Sequence, residues 1–405
     1  MRIDFSPPDI TEAEIEAVAD VLRSGWITTG PVTKDFEQQI AQWAGVAKAV
    51  CLSSATAALE SALRLLGVGS GDEVITSAYT FTASASVICH VGATPVLIDT
   101  APDQFEMDYT QLANAISAKT KVVIPVDIAG VMSNYQMLTE TLDQHKALFN
   151  PKLGTLQELF DRVIVLADAA HSFGAESPAG PCGSVADFTA FSFHAVKNVT
   201  TAEGGALVWK DHPGLDNQDI YARLMRMSLH GQSKDALAKN SLGAWEYDIS
   251  DTDFKCNMTD VAAAIGRSQL ARYPKMLARR KKVVQLYQAG LDADKVQTLE
   301  HFEQGSVSSC HLFLLRLTGR SEQFRNLMIE AMAKRGVACN VHYKPLPLLT
   351  AYKNLGFDIA DYPNSLAQYQ NEITLPLYST LTDEQVIYIL ESFEQAYAEC
   401  LAAGV

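Results

Sequence analysis

The sequence lacks the features that mark membrane-embedded, exported and disulfide-stabilised proteins. No uninterrupted apolar run approaches the roughly 20 residues that a membrane-spanning helix needs. The amino-terminal MRIDFSPPDI has no apolar segment typical of a signal peptide. The seven cysteines are odd in number and include no C-x-x-C pair, so we predict neither a disulfide framework nor a metal site. These absences predict a cytoplasmic protein with no membrane partner.

The sequence also has fewer positively charged than negatively charged residues. The chain has 32 lysine and arginine residues against 47 aspartate and glutamate residues, a formal net charge of −15. This balance disfavours nucleic acids and anionic lipids, so we expect neither as a partner. One dense basic run, Arg279-Arg280-Lys281-Lys282, is interpreted as the solvated face of a helix.

A dinucleotide-binding motif is absent as well. The nearest match to G-x-G-x-x-G is Gly67, Gly69 and Gly71, which follows a predicted helix and lacks the third spacing. Nicotinamide-dependent reductases need the full motif between a strand and a helix, so this class is disfavoured.

The first part of the chain alternates helical and strand-like segments. Thr11 and Glu14 form a capping box that begins a first helix, and Leu59, Leu63 and Leu66 share one face of a later helix. Short apolar runs between such helices are typical of an α/β protein with a mixed, mostly parallel sheet and helices on both faces. The predicted strands are residues 74–75, 95–98, 122–126, 163–166, 188–193 and 206–209.

The pattern changes near residue 260. A long helical stretch runs to about residue 291, and a smaller α+β unit follows, with strands at 312–317 and 337–341 and a helix between them. We predict a large domain over 1–260 and a small C-terminal domain over 261–405 that includes the linking helix. Residues 133–161 are predicted to form a helical excursion between two strands, without an assigned role.

Two ionisable residues follow predicted strands. Lys197 lies in the loop after 188–193. A lysine partly removed from water has a lowered pKa, and its neutral amine can form a Schiff base. Asp168 follows 163–166, at the strand end where α/β proteins bind ligands, and its carboxylate can pair with a pyridinium nitrogen.

A helix start and an aromatic residue complete the candidate site. The stretch SSATAA at 53–58 begins a predicted helix, whose free amides and dipole favour an anion. Phe81 follows the strand at 74–75, where an aromatic ring can stack on a flat cofactor.

These features occur together with further motifs, in one order along nearly the whole chain. They are SGWITTGP at 24–31, GDEVI at 71–75, GATPV at 92–96, FSFHAVKNVTTAEGG at 191–205, FKCNMTD at 254–260, HYKP at 342–345 and LPLY at 375–378. In this set the chain resembles the DegT/DnrJ/EryC1/StrS family of sugar aminotransferases, which are fold-type-I enzymes dependent on pyridoxal 5'-phosphate (PLP).

The resemblance implies roles for particular residues. Lys197 would carry PLP covalently and move protons, Asp168 would pair with the ring nitrogen, His171 would lie near the ring hydroxyl, and Phe81 would stack on the ring. The residues implied to hold the phosphate are Ser54, Ala55, Thr56 and Ser192. The residues expected to bind substrate are Thr28, Thr29, His194, His230, His342 and Lys344.

The resemblance also implies a homodimer with shared active sites, because residues 254–260 match a segment that reaches into the partner subunit. Lys255 of that segment would approach the phosphate or the nucleotide. Two positions depart from the family pattern: Ala202 stands where a glycine is usual, and Pro347 stands where a second histidine is frequent. Ala202 adopts a positive φ less easily than glycine, and Pro347 puts the contacts to the sugar in doubt.

The activity that we expect is transfer of an amino group from L-glutamate to C4 of a UDP-linked 4-keto-6-deoxy-hexosamine, in bacterial surface-polysaccharide or glycan biosynthesis. Alternatives are a 3-keto-sugar aminotransferase on a dTDP-linked sugar, with GDP-linked sugars also open, and a PLP-dependent sugar dehydratase. In the dehydratases a histidine replaces the lysine, so Lys197 disfavours that reading. A non-catalytic binding protein on this fold is disfavoured because Lys197 and Asp168 are both present.

Overall fold

The computed structural model describes residues 1–234, 245–302 and 305–404. Its α-helices are α1 Glu12–Ser24, α2 Pro31–Ala44, α3 Ala55–Leu65, α4 Ala83–His90, α5 Tyr109–Ala115, α6 Tyr135–Gln144, α7 Asn217–Ser228, α8 Asp260–Gly290, α9 Glu322–Lys334, α10 Thr350–Asn354, α11 Pro363–Asn371 and α12 Asp383–Ala402. Its strands are β1 Ala49–Leu52, β2 Glu73–Ser77, β3 Thr94–Ile98, β4 Thr120–Ile124, β5 Ile164–Asp168, β6 Glu176–Ser177, β7 Gly180–Pro181, β8 Phe188–Ser192, β9 Gly205–Trp209, β10 Val296–Thr298, β11 Phe313–Leu317 and β12 Glu372–Leu375. Within these ranges, no helix combines the length and the apolar content needed to cross a bilayer.

A seven-stranded sheet in the order β1-β9-β8-β5-β4-β2-β3 forms the centre of the larger part of the molecule. Strand β9 runs antiparallel to its neighbours β1 and β8, and the remaining pairs are parallel. The predicted mixed, mostly parallel sheet is therefore confirmed, and all six predicted strands are present. Strands β1, β6, β7, β10 and β12 were not predicted.

Helices cover both faces of this sheet because successive strand residues point to opposite sides. On one face, residues such as Val122 and Leu166 pack against α3, α4 and α7. On the other face, residues such as Val123 and Ala167 pack against α5 and α6, while β1, β8 and β9 meet α2 and α8. The excursion at 133–161 is helical as predicted, and its helix α6 packs on the second face.

The C-terminal part contains the antiparallel sheet β10-β11-β12, with α9 and α12 in the same apolar core. The predicted strand at 337–341 is wrong: Val337 bridges Ile3 and Asn340 bridges Thr374, so two different partners share the segment and no continuous ladder forms. Because Ile3 belongs to this core, the amino terminus also contributes to the smaller unit. The domain division at residue 260 stays a prediction.

Helix α1 has the predicted capping box at Thr11 and Glu14. Its inner face is partly polar, because buried Glu14 accepts a hydrogen bond from Arg272 of α8 at 2.9 Å. Ile15 and Leu22 instead face outward, with 53% and 56% of their surface exposed.

The basic run on α8 is divided between surface and core. Lys282 pairs with Asp383 at the surface. Arg280 is buried, and its Nη1 donates to the carbonyls of Leu377 at 3.0 Å and His311 at 3.3 Å. The prediction of a solvated helix face is therefore wrong for Arg280. Burial lowers the pKa of this guanidinium to about 10, so it remains a cation that carbonyl oxygens solvate.

We expect Arg280→Ala to destabilise the fold by about 3 kcal/mol, because it leaves a cavity and buried carbonyls without donors. Lys282→Ala, which removes an exposed ion pair, should cost less than about 1 kcal/mol. Urea unfolding followed by circular dichroism measures both variants. Equal losses would show that Arg280 is no more structural than its surface neighbour.

Candidate active site

A cavity of about 420 Å³ opens at the carboxyl ends of the parallel strands. Residues that follow β2, β4, β5 and β8 form its floor, and the start of α3 forms one side. Phe5, His311, Leu312, His342 and Tyr343 close it from the amino-terminal segment and the C-terminal part. The predicted residues that line it are Ser54, Ala55, Thr56, Phe81, Asp168, His171, Ser192, His194, Lys197 and His342.

Lys197 and Asp168 are the charged pair of this cavity. Burial lowers the pKa of Lys197 to about 8, although the carboxylate of Asp168 acts in the opposite direction. Asp168 is buried at the end of β5, where it accepts hydrogen bonds from Ser84 Oγ at 2.6 Å and from the Ala170 amide at 3.2 Å. Burial raises the pKa of Asp168, and these donors together with Lys197 limit the rise. The site therefore holds a readily deprotonated amine beside a stabilised carboxylate.

His171 connects the floor of the cavity with its C-terminal wall. Its Nδ1 lies 3.1 Å from the Ala129 amide and its Nε2 lies 3.0 Å from the Tyr343 hydroxyl. Burial, with the charge of Lys197, holds the pKa of His171 well below its ordinary value. The ring is thus neutral and fixed by hydrogen bonds on both sides.

The start of α3 provides an anion site. Ser54 is its N-cap, and its Oγ accepts from the Ala57 amide at 3.0 Å. The first amides of a helix have no partners within it, and the helix dipole favours negative charge there. Gly205 packs directly against this start: a Cβ at that position would lie 2.3 Å from the Ser54 carbonyl carbon. Only glycine leaves this approach open.

The loop between Lys197 and Gly205 contains one of the family departures. Ala202 adopts φ 67°, the left-handed conformation that glycine tolerates best. The backbone at this position therefore has a conformation typical of glycine, although the residue is alanine. This left-handed conformation costs an alanine about 1 kcal/mol. Glu203, which follows directly, lines the cavity, and its Oε1 lies 3.5 Å from His194 Nε2.

The predicted residues Thr28 and Thr29 lie outside the cavity. Thr29 is buried, accepts from Asn257 Nδ2 at 2.5 Å and donates to the Met258 carbonyl at 2.5 Å. The Thr28 carbonyl accepts from the Asp260 amide at 3.1 Å. Both threonines are thereby joined to the segment 254–260.

His230 and Lys255 belong to the same group. Lys255 pairs with Leu229 in a single antiparallel bridge, and the His230 amide donates to the Phe254 carbonyl at 2.7 Å. Both side chains are exposed. Lys344 is exposed as well and is not part of this cavity wall. Four of the five predicted residues that do not line the cavity therefore form one separate group, in which Thr29 is buried and His230 and Lys255 are exposed.

Several residues of the site were not predicted. Asp127 lies just after β4 and Asp168 lies at the end of β5, and this corresponding position was a usable signal. Both carboxylate oxygens of Asp127 accept hydrogen bonds, from the Tyr135 hydroxyl at 2.9 Å and the Ser172 hydroxyl at 2.7 Å. Burial raises the pKa of Asp127 to about 6. Tyr343 lies inside the HYKP motif but was not singled out. Ser84 and His311 carry no signal in the sequence.

These residues define a class of enzyme. A neutral amine can bind an aldehyde, a buried carboxylate can pair with a pyridinium nitrogen, and a glycine-lined helix start can hold a phosphate. This donor set fits PLP, and the fold is that of the fold-type-I PLP enzymes. Among the described residues, no group of histidine, cysteine, aspartate and glutamate side chains is arranged to hold a metal ion.

Comparison with known proteins identifies the family. The profile of the DegT/DnrJ/EryC1/StrS aminotransferase family matches residues 8–394. Spr1654 from Streptococcus pneumoniae, a proposed sugar aminotransferase solved in a PMP-form, superposes with a TM-score of 0.96 at 53% identity over 98% of this chain and 100% of that chain. Its PLP-form gives a TM-score of 0.95 at 51% identity over 99% of this chain and 100% of that chain.

Two more distant relatives carry pathway names. The spore coat polysaccharide biosynthesis protein SpsC of Bacillus subtilis is 33% identical over 96% of both chains. The Helicobacter pylori aminotransferase PseC, involved in the biosynthesis of pseudoaminic acid, is 26% identical with a TM-score of 0.86, over 98% of this chain and 100% of that chain. The chain belongs to the DegT/DnrJ/EryC1/StrS family of sugar aminotransferases, and its cofactor is PLP.

The lowered pKa of Lys197 can be tested without the cofactor. Because a lysine with a pKa of about 8 loses its proton well below the ordinary value of 10.5, an amine-reactive reagent should label Lys197 half-maximally near pH 8. In Asp168→Asn the carboxylate that raises this pKa is gone, so the midpoint should fall below 8. Peptide mapping by mass spectrometry measures both midpoints. A midpoint near 10.5 in the unaltered protein would contradict the burial argument.

Proposed function

We propose that this aminotransferase moves an amino group from L-glutamate to C4 of a nucleotide-linked 4-keto-6-deoxy-hexosamine, with UDP as the nucleotide. The product would serve bacterial surface-polysaccharide or glycan biosynthesis in the cytoplasm. The observation that carries the chemistry is the Lys197 amine beside the Asp168 carboxylate at the strand ends. The pathway names of SpsC and PseC support a sugar of this kind as the acceptor.

The residues of the cavity have separate roles in the proposed reaction. PLP, when bound, supplies an aldehyde that takes up the amino group and a ring that withdraws electrons from the reacting carbon. Lys197 would hold the cofactor and then move a proton at the reacting carbon, while Asp168 would keep the ring nitrogen charged. Phe81 and His171 would contact the ring, and Ser54, Ala55, Thr56 and Ser192 would hold the phosphate.

The two substrates use one cavity in turn, so the amino donor must leave before the keto-sugar enters. His194 and His342 lie in the wall and are proposed to contact the sugar. A pyrophosphate needs cations, and Lys255, His230 and Lys344 are exposed candidates. The basic run on α8 is not proposed for this purpose, since Arg280 is buried and Lys282 pairs with Asp383.

The same observations support an obligate homodimer. Thr28, Thr29, His230 and Lys255 form one group outside their own cavity, and His230 and Lys255 are its exposed members. Apolar side chains lie exposed on the same segments, among them Ile27 at 53% and Phe254 at 42%. We propose that this group completes the cavity of the partner subunit, where Lys255 approaches the phosphate or the nucleotide.

The substrate is tested by mass spectrometry. Incubation of the purified yellow enzyme with L-glutamate and each of several keto-sugars should convert ketone to amine on the UDP-linked 4-keto-6-deoxy sugar. Lys197→Ala is the control, because it removes the amine that holds the cofactor and moves the proton. Turnover restricted to a 3-keto sugar, or to a dTDP- or GDP-linked sugar, would reject the proposed substrate and leave the aminotransferase assignment in place.

The shared site is tested by mixing two impaired variants. Lys197→Ala lacks the cofactor-binding amine, and Lys255→Ala should lose about tenfold or more in kcat/KM through its missing charge-assisted contact. A mixed dimer has one complete site if Lys255 acts across the interface, so subunit exchange should restore activity. Activity that does not recover, or a fully active monomer in light scattering, would contradict the arrangement.

A further inference from the structure

The hydrogen on His171 can be assigned from its two neighbours. The Ala129 amide, 3.1 Å from Nδ1, can only donate, so Nδ1 carries no hydrogen. The ring is neutral, because burial and the charges of Lys197 and His342 hold its pKa well below the ordinary value. A neutral imidazole has one hydrogen, which must therefore be on Nε2.

This tautomer determines what the Tyr343 hydroxyl can do. Nε2–H of His171 lies 3.0 Å from the Tyr343 oxygen and donates to it. The oxygen is then an acceptor in this pair, and its own hydrogen points elsewhere. Within the described ranges, His171 is the only hydrogen-bond partner of this hydroxyl. Burial raises the pKa of Tyr343 well above its ordinary value, so the hydroxyl keeps its hydrogen.

The position of the Tyr343 ring is fixed by three aromatic neighbours. It is stacked with His171 at 23° and 6.1 Å between centroids, and it meets His342 edge-on at 83° and 4.9 Å. Phe81 lies at 6.1 Å across the cavity. The ring lines the same wall as Lys197 and Asp168. The Tyr343 hydroxyl is held firmly beside the reactive amine, and its hydrogen needs an acceptor. A molecule bound in the cavity can supply that acceptor.

We propose that Tyr343 is a substrate-binding residue, whose hydroxyl donates a hydrogen bond to an oxygen next to the reacting carbon of the bound substrate. His171 is the positioning residue that holds this hydroxyl as a donor. The carbonyl oxygen of the keto substrate and the α-carboxylate of the amino donor both offer such an oxygen, and both enter this cavity in turn. The inference rests on the proposed function and adds a group that recognises the reacting end of both substrates.

The test compares Tyr343→Phe with Tyr352→Phe. Tyr352 is a matched control, because its buried hydroxyl pairs with Thr82 at 2.7 Å and does not line the cavity. Each half-reaction of the holoenzyme is followed separately by absorbance, one arm with L-glutamate and the other with the UDP-linked 4-keto sugar on enzyme loaded with the amine form of the cofactor. A third arm titrates α-methyl-L-glutamate, which binds but has no α-hydrogen to lose, and measures its dissociation constant.

Tyr343→Phe should retain cofactor content and melting temperature. Its second-order rate constant should fall about tenfold in the sugar arm and up to about a hundredfold in the glutamate arm, where the acceptor is charged. The dissociation constant of α-methyl-L-glutamate should rise by a similar factor. Tyr352→Phe should change none of these quantities.

The outcomes separate the two proposals. A loss in one arm assigns the hydrogen bond to that substrate, and a loss in both assigns it to both. Unaltered rates together with unaltered analogue binding would overturn the role of Tyr343, as would an equal loss in Tyr352→Phe. If the unaltered enzyme reacts with glutamate and with no keto-sugar, the proposed function fails, while the glutamate and analogue arms still decide the role of Tyr343.

Discussion

Removal of the Lys197 amine from water is the constraint on which the rest of the site depends. Burial alone would lower the pKa of Lys197 further, and the Asp168 carboxylate holds this pKa at about 8. Two histidine rings in the wall add no charge: burial lowers the pKa of His342 to about 3 and that of His311 well below its ordinary value. A protonated histidine at either position would repel the lysine. The cavity thus contains one amine that changes charge near neutral pH, which nucleophilic attack and proton transfer both require.

The topology of the sheet explains why this amine lies where it does. Strands β5 and β8 are parallel neighbours, with Asp168 level with Ala190, so both leave the sheet at the same edge. Strand β9 then returns antiparallel to β8, which forces the intervening loop with Lys197 to turn at that edge. The return also pairs Gly205 with Leu52 and brings the glycine against the start of α3. One reversed strand therefore brings the amine, the carboxylate and the anion site together.

Sequence reasoning succeeded where a residue's role follows from its place on an element. Asp168 and the start of α3 could be found because strand ends and helix starts have known electrostatic properties. It failed where segments distant in sequence meet. Arg280 belongs to a run of cations typical of a protein surface. Its buried position depends on carbonyl groups of loops that are distant in sequence. Ser84 gave no signal, because its hydrogen bond to Asp168 spans 84 positions of the chain. The orientation of the Tyr343 hydroxyl likewise depends on an amide of Ala129, which no local pattern reveals.

The charge of the protein limits where a nucleotide can be held. In the described part of the chain, the cavity wall contains three carboxylates, Asp127, Asp168 and Glu203, and one lysine. The helix start offers the equivalent of about half a positive charge, which suits one phosphate and is already needed for the cofactor. A pyrophosphate inside this wall would meet more negative than positive charge. We therefore expect the sugar alone to enter the cavity, with the diphosphate held at its mouth by cations such as Lys255 from the partner subunit. The proposed dimer would supply the cations that the acidic wall of a single cavity lacks.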